Sequence, residues 1–183
     1  MNIWFTSDLH FSHKNIAGAK VSQWNSGFRT FDSIDQMNDT LFNTLNKYVK
    51  KGDILYFLGD FCFGGHDKTP LYRSKINCDT IHFIRGNHDE HIDLYKDSFT
   101  SINDVMTLKY AKKTIFLSHY AHRAWNGSHK GVVHLYGHNH GTLEDYGLSM
   151  DVGVDVAYRM FGEYRPFNIN EIIDIMNNKN IER

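Results

Sequence analysis

Short apolar runs recur along the chain, and the early ones end in turn-forming polar residues. Residues 2–7 are rich in aromatic and β-branched side chains and predict a first strand. Residues 54–58 are apolar without interruption, which is typical of a strand covered on both faces. Further runs of strand length lie at residues 81–84, 102–110, 114–117, 132–136 and 149–156. The runs at 102–110 and 114–117 predict a hairpin that turns at residues 111–113.

Apolar positions that step by three or four residues predict a helix after the first strand. Asp32 or Ser33 can act as the N-cap of this helix, which runs to about Lys50. Its predicted buried face consists of Ile34, Met37, Leu41, Leu45 and Tyr48.

Two further helices are predicted from their capping residues. Thr69 and Pro70 have the pattern of an N-cap and a first helical residue, for a short helix that reaches about Ile76. Asn168 is followed three residues later by Glu171, which is the pattern of a capping box at the start of a closing helix.

The order of these elements predicts an α/β fold in a single domain of residues 1–183. Strands alternate with helices in the first half, so we expect parallel strands there. The later strands follow one another as hairpins, so we expect antiparallel additions in the second half. Ligands of such sheets bind outside the carboxyl ends of the strands.

Composition and charge narrow the classes of partner. The formal net charge of −1 disfavours a nucleic-acid polymer as the partner. Two cysteines are too few for a disulfide scaffold, and the N-terminus lacks the pattern of a signal peptide. No apolar stretch approaches the roughly 20 residues that span a bilayer. We therefore expect a cytoplasmic protein without a membrane partner.

Five clusters of metal-binding side chains stand directly after predicted strands. They are Asp8-Leu9-His10, Gly59-Asp60, Gly86-Asn87-His88-Asp89, Ser118-His119 and Gly137-His138-Asn139-His140. If the strands lie side by side with their ends aligned, all five clusters meet at one edge of a sheet. Carboxylate oxygens and neutral imidazole nitrogens are ligands for divalent metal ions.

The spacing within the clusters is compatible with two ions. Asp8 and His10 are two residues apart, as are His138 and His140, so each couple would point the same way on an extended backbone. Asp60 has two carboxylate oxygens with which it can bridge two ions. Two divalent ions outweigh the charges of Asp8, Asp60 and a bridging hydroxide, and the pocket then attracts an anionic phosphate. Ions about 3.5–4 Å apart can hold both the attacking and the departing oxygen of an in-line displacement.

The five clusters in this order resemble the motifs of the calcineurin-like metallophosphoesterase superfamily. Segments 5–15, 123–127, 151–155 and 165–166 are similar to those of its small stand-alone bacterial and phage members. The resemblance implies a four-layer αββα sandwich in which two mixed β-sheets are flanked by helices. It also implies a metal-dependent phosphoesterase in which metal-bound hydroxide attacks phosphorus.

The resemblance implies a ligand set for two divalent ions, with Mn²⁺ expected and Fe, Ni, Zn or Mg as alternatives. We call the implied ligands of the first ion the first ligand group, and they are Asp8, His10, Asp60 and His140. The second ligand group holds the second ion and consists of Asp60, Asn87, His119 and His138. His88 would contact the phosphate or protonate the leaving group, and Asp89 would orient a neighbouring group. Pairing with Asp89 is the structural alternative for His88.

Three residues outside the clusters are candidates for binding substrate. His13 and Asn15 follow the first cluster closely, although an exposed polar loop explains them equally well. Arg123 could hold a phosphate with its planar guanidinium, and a surface arginine is the alternative. The loop 120–131 that contains Arg123 either borders the pocket or is a simple crossover.

The residues that follow Asp60 limit the class of substrate that we expect. In the protein phosphatase branch the second motif continues to a phosphate-binding arginine, whereas residues 61–65 here contain none. A small phosphodiester or nucleotide is therefore the expected substrate, and a phosphodiesterase the expected enzyme. The alternatives are a non-catalytic binding scaffold of the same fold, a phosphomonoesterase and a nuclease. The oligomeric state stays open.

Overall fold

Nine strands in the described part of the chain form two sheets. The computed structural model describes residues 1–65 and 67–180, so residues 181–183 of the predicted domain lie outside the described residues. The strands are β1 (Ile3–Thr6), β2 (Ile54–Phe57), β3 (Thr80–Ile84), β4 (Ser101–Asn103), β5 (Val105–Tyr110), β6 (Lys113–Ser118), β7 (Val133–Tyr136), β8 (Ser149–Asp151) and β9 (Phe167–Asn168).

Both sheets combine parallel and antiparallel pairs. The first has the order β4-β3-β2-β1-β9, and only β9 is antiparallel to its neighbour. The second has the order β5-β6-β7-β8, with an antiparallel β5–β6 hairpin. Strands β6, β7 and β8 are parallel, so the expectation of antiparallel additions throughout the second half is wrong for them.

The helices in the described part of the chain are α1 (Lys14–Ala17), α2 (Ile34–Tyr48), α3 (Lys68–Ser74), α4 (Val154–Phe161) and α5 (Ile169–Asn177), with 3-10 turns at Ile92–Ser98 and Ser128–Lys130. The sequence predicts α2, α3 and α5 close to these positions, but it does not predict α1 or α4. The Ser33 side chain accepts a hydrogen bond from the Gln36 N–H and caps α2. The predicted capping box of Asn168 and Glu171 is confirmed. No helix in the described residues is long and apolar enough to cross a bilayer.

Three predicted element boundaries are wrong. Helix α3 begins at Lys68, so Thr69 and Pro70 lie inside its first turn. The predicted strand 102–110 is two strands, because the chain passes from the first sheet to the second at Asp104. The predicted strand 149–156 stops at Asp151, whose side chain accepts a hydrogen bond of 2.7 Å from the Gly153 N–H, and helix α4 follows.

Two hydrophobic cores account for the layers. Trp4 and Phe5 are consecutive in β1 and point to opposite faces of the first sheet. Trp4 packs on the side of α2, where Leu41 and Leu45 are fully buried. Phe5 packs in the core between the sheets, together with residues of β6, β7 and α5. The α/β fold with two mixed sheets flanked by helices is confirmed. The carboxyl ends of β1, β2 and β3 point to one edge, because these strands are parallel.

Candidate metal centre

Backbone hydrogen bonds hold the five clusters together at this edge. The Asp8 N–H donates to the Gly59 carbonyl at 2.9 Å, which ties the first cluster to the second. The His138 N–H donates to the Asp8 carboxylate at 3.0 Å, across 130 residues of sequence. The Gly137 N–H donates to the His119 carbonyl at 2.9 Å. The predicted convergence of the clusters is therefore present in the structure.

Five of the seven proposed ligands have a left-handed backbone conformation. The φ angles are 58° at Asp8, 48° at His10, 61° at Asp60, 68° at His138 and 48° at His140. Non-glycine residues seldom have positive φ, and Asp, Asn and His are enriched among those that do. The side chains are thus brought together by sharp turns at the strand ends. The expectation of an extended backbone at Asp8 and His10, and likewise at His138 and His140, is wrong, although all four side chains reach the site.

Asp60 lies between the two ligand groups. The Nε2 atoms of His10 and His119 are each 3.5 Å from the same Asp60 oxygen, Oδ2. Possible ligand atoms of Asp8, His10 and His140 lie within 4.8 Å of one another, as do those of Asp60, His119 and His138.

The amide of the second ligand group is also in place. The Asn87 Oδ1 atom lies 3.1 Å from His119 Nε2. The structure therefore brings all seven predicted ligands to one place.

Two glycines permit this close approach. A Cβ atom added at Gly86 would overlap Oδ1 of Asp60, and one added at Gly137 would overlap the Ser7 hydroxyl and crowd the Asp8 carboxylate. Each glycine directly precedes a proposed ligand in its cluster. The clusters thus require glycine at these two positions for a steric reason.

The donor set fits a cation, and His10 is the clearest test. It is 2% exposed, and neither of its ring nitrogens has a hydrogen-bond partner among the described residues. Burial, aided by the positive charges of Arg29 and His140, holds the His10 pKa well below its ordinary value. A buried neutral imidazole whose N–H and lone pair both lack a partner is costly unless a ligand completes it. Divalent ions bind such nitrogens.

The pKa values of the buried carboxylates depend on the positive charge near them. Burial raises the pKa of Asp8 to about 7 in the protein alone. Burial also acts to raise the pKa of Asp60, but the hydrogen bond and charge of His119 lower it further than burial raises it. Burial opposes protonation of His119, yet Asp60 and Asp8 raise its pKa to about 9. The raised pKa values of Asp8 and His119 both reflect negative charge that is buried without a matching cation.

The two predicted catalytic residues have different places in the structure. The carboxylate of Asp89 accepts hydrogen bonds from the backbone N–H groups of Asp60, Phe61 and Gly86 at 2.7, 3.0 and 2.8 Å. Both of its oxygens are occupied, so Asp89 positions the Asp60 turn. The His88 side chain is 38% exposed at the mouth of the site, with Nε2 4.0 Å from Asp60 Oδ2.

The substrate-binding candidates divide into two cases. His13 and Asn15 line the same cavity as His10 and His88, so the structure brings them to the site. The guanidinium of Arg123 instead lies over the ring of Tyr146, 3.8 Å from its centroid, and Arg123 does not line this cavity.

The loop 120–131 borders the centre only at its start. Tyr120 packs against the rings of His119 and His138, with centroids 5.0 and 4.7 Å away. Further along, Trp125 is buried and donates its indole N–H to the Val132 carbonyl at 2.8 Å. The loop is thus anchored by Trp125, and its first residue packs on two of the proposed ligands.

Sequence reasoning missed three residues that contact the centre. Arg29 is 1% exposed and forms a two-pronged ion pair with Asp155, whose carboxylate also lies 2.7 Å from Nδ1 of His140. Phe28 stacks on the His140 ring, with centroids 4.4 Å apart. Asp155 lies in a segment that carried the resemblance, but no local pattern marks Phe28 or Arg29 as part of a site.

Comparisons with known proteins agree with this geometry. The sequence model described as calcineurin-like phosphoesterase matches residues 1–173. An uncharacterized protein of Methanocaldococcus jannaschii is 27% identical over 190 residues, which cover 99% of this chain and 94% of that protein. A crystal structure of a protein of unknown function from Aquifex aeolicus has a TM-score of 0.67 at 24% identity, over 95% of this chain and 98% of that chain. A structure described as a novel archaeal phosphodiesterase has a TM-score of 0.51 at 20% identity, over 92% and 100%.

Proposed function

The chain belongs to the calcineurin-like phosphoesterase family, and from that premise we propose that it is a phosphodiesterase with a centre of two divalent ions. Family and site together support a metal-dependent phosphoric ester hydrolase. One observation carries the proposal of two ions. His10 and His119 approach the same carboxylate oxygen of Asp60 at 3.5 Å, each from its own ligand group. A shared carboxylate between two donor sets is what a bridged pair of ions requires.

The chain's residues would divide the work as follows. Asp8, His10 and His140 hold the first ion, Asn87, His119 and His138 hold the second, and Asp60 bridges them. Two such ions supply positive charge to a phosphate and lower the pKa of a coordinated water to about 7. We propose Mn²⁺ for both positions because carboxylate and amide oxygens suit it, with Fe, Ni and Zn as alternatives that suit the imidazole nitrogens.

His88 is placed to act on the leaving group. It stands at the mouth of the site with a partly exposed ring, and its backbone N–H donates to Asp60 Oδ1 at 3.0 Å. The turn that carries it is therefore tied to the bridging carboxylate. The carboxylate of Asp89 is occupied by backbone N–H groups, so the His88 ring remains available to the substrate. In this position it can donate a proton to the departing oxygen.

The shape of the site supports a diester as the substrate. A cavity of about 220 Å³ lies over the centre, lined by His13, Phe28 and His140 among others. A second cavity of about 270 Å³ lies beside it, lined by Phe63, Thr69 and Ile92 among others.

Asn87 and His88 line both cavities, so the cavities meet where the phosphate would sit. A diester carries two organic groups on its phosphorus, and each cavity can take one. The description of the archaeal structure as a phosphodiesterase supports the same class.

Turnover of bis(p-nitrophenyl) phosphate in manganese buffer tests the proposal. We expect Asp60→Asn and His140→Ala to remove nearly all activity, because each deletes a ligand. Asp53→Asn is the matched control, since Asp53 is also buried but caps the opposite end of the first sheet through Asn2 and Trp4.

Near wild-type turnover in the purified ligand variants, with metal content verified, would reject the proposal. A wild-type protein that binds no metal and hydrolyses neither mono- nor diesters would instead support the binding scaffold.

A further inference from the structure

We infer that Arg29 and Asp155 are positioning residues that set the affinity of the first of the two metal ions and leave the second unaffected. This inference rests on the proposed function, because it assumes that the two ligand groups hold ions. It concerns two side chains that lie outside both ligand groups.

Arg29 forms hydrogen bonds to Asp155 and to the backbone of the first cluster. Its Nε and Nη2 atoms donate to the two oxygens of Asp155, both at 2.8 Å. Nη2 also donates to the Asp8 carbonyl at 2.6 Å, and Nη1 donates to the Leu9 carbonyl at 3.0 Å. The guanidinium is fully buried, so water does not compete for these donors. One cation thus fixes the backbone of one ligand, Asp8, and the carboxylate that contacts another, His140.

Asp155 determines which nitrogen of His140 faces the ion. Its Oδ2 atom lies 2.7 Å from Nδ1 of His140. Both Asp155 oxygens already accept hydrogen bonds from the Arg29 guanidinium, and a carboxylate in this arrangement is an acceptor for His140 as well. Nδ1 must therefore donate, and the lone pair for a metal is left on Nε2. A carboxylate partner of this kind also makes the imidazole a stronger ligand.

The ring of His140 is held from a second direction by the residue next to Arg29. Phe28 stacks on it with an interplanar angle of 15°. The His140 carbonyl accepts a hydrogen bond of 2.7 Å from Arg159 Nη2. Side chain and backbone of His140 are thus fixed before any ion binds, which removes an ordering cost from binding.

The second ligand group is supported differently. Nδ1 of His119 lies 2.7 Å from the Leu58 carbonyl, a neutral acceptor. In the described part of the chain, the hydrogen bonds of Arg29 and Asp155 do not reach Asn87, His119 or His138. The two ion positions are therefore not equivalent. Loss of the Arg29–Asp155 pair should weaken one of them selectively.

A second two-pronged ion pair, between buried Arg165 and the partly exposed Glu171, provides the matched control. Arg165 is 7% exposed and grips Glu171 with Nη1 and Nη2 at 3.1 and 2.8 Å. It holds the start of α5, and among the described residues its hydrogen bonds do not reach the ligand groups. Breaking this pair should cost folding stability without touching the centre, so it separates a general loss of stability from a specific loss of metal.

The experiment is a manganese titration of the metal-free full-length protein by calorimetry, with bound manganese counted after equilibrium dialysis. We expect Asp155→Asn to bind one ion as the wild type does and the other about 10- to 100-fold more weakly. We expect Glu171→Gln to bind both ions as the wild type does. Equal affinities for both ions in Asp155→Asn and wild type, or an equal weakening of both, would overturn the inference.

A second variant decides the matter if Asp155→Asn does not fold. Arg29→Lys is the milder change, because it keeps a positive charge beside Asp155 but cannot bind both carboxylate oxygens with a planar fork. Selective weakening of one ion in Arg29→Lys supports the inference, and wild-type binding of both ions overturns it. A wild-type protein that binds no ion would overturn the proposed function together with the inference. Two ions held equally by wild type and variants would overturn the inference alone.

Discussion

The carboxylate of Asp89 accepts a hydrogen bond of 2.7 Å from the backbone N–H of Asp60, 29 residues earlier in the chain. The same carboxylate accepts from Phe61 and Gly86. Burial raises the pKa of Asp89 even though these N–H groups favour the charged form. Asp89 therefore holds together the two turns that present Asp60 and Asn87, and its influence on catalysis passes through their backbone.

Asp89→Asn should destabilise the protein and weaken metal binding. The new amide would place a donor against backbone N–H donors, which costs about 1–3 kcal/mol for a buried unsatisfied group. Urea denaturation of the metal-free protein measures this loss. Glu90→Gln is the control, because Glu90 is adjacent in sequence but exposed. Equal free energies of unfolding for Asp89→Asn and wild type would contradict the role given to Asp89.

His88→Asn should slow diesters with poor leaving groups more than those with good ones. A general acid contributes about 10²–10⁴-fold when the departing oxygen needs a proton. The p-nitrophenolate ion needs little such help, whereas an alkoxide needs much. The measurement is kcat for bis(p-nitrophenyl) phosphate and for a diester that releases an aliphatic alcohol. Equal losses for both would assign His88 to phosphate binding instead.

Gly86→Ala should abolish metal binding while Gly52→Ala leaves it intact. The added methyl group at position 86 would overlap Asp60 Oδ1 and displace the carboxylate that we propose as the bridge between the ions. At Gly52 an added methyl group meets nothing within 4 Å. Calorimetric titration with manganese gives the readout. Two ions bound normally by the Gly86 variant would show that the turn can relax and that its glycine is not required.

His134 should make the protein less stable as the pH falls from about 6.5 to about 4. It is fully buried, and its Nε2 accepts a hydrogen bond from the His122 N–H at 3.0 Å. Burial lowers its pKa from 6.5 to about 4. Between pH 6.5 and pH 4 the unfolded chain binds a proton at His134 that the folded protein does not bind. The free energy of unfolding therefore decreases as the pH decreases through this range. The loss amounts to about 3 kcal/mol.

The variant His134→Gln should not show this loss of stability between pH 6.5 and pH 4, because it has no imidazole to protonate. The test compares the free energy of unfolding of wild type and His134→Gln at pH 7 and pH 4. His129→Gln, at an exposed histidine, should follow the wild-type curve. Parallel curves for His134→Gln and wild type would show that the His134 environment admits the proton without cost.

The sequence predicts most of the sheet and the convergence of the five clusters because both follow local rules. Apolar runs mark the strands, and each cluster directly follows one. The stretch from Asp151 to Val156 shows where local rules fail. Its alternating valines resemble a strand, but the Asp151 side chain binds the Gly153 N–H and the chain turns into a helix. A hydrogen bond between a side chain and a nearby backbone group outcompetes the ladder there.

The support of the centre is harder to predict because it is formed by contacts between distant segments. Arg29 and Asp155 are 126 residues apart, and neither lies in a pattern that marks it as buried. Only the fold places the charge of Arg29 beneath Asp8 and His140. A lone arginine after a glycine and a phenylalanine has no local signature of this role.

The left-handed turns at the strand ends bear on how such a centre could be lost in evolution. Backbone strain of this kind costs about 1–3 kcal/mol per residue and is relieved by glycine. Replacing Asp8 or His140 with glycine would remove a metal ligand and, at the same time, relax the chain. Mutations that abolish the proposed metal centre in this way would therefore increase the folding stability of the protein. Aspartate or histidine at these five positions therefore lowers folding stability while it supplies the side chains of the proposed metal centre.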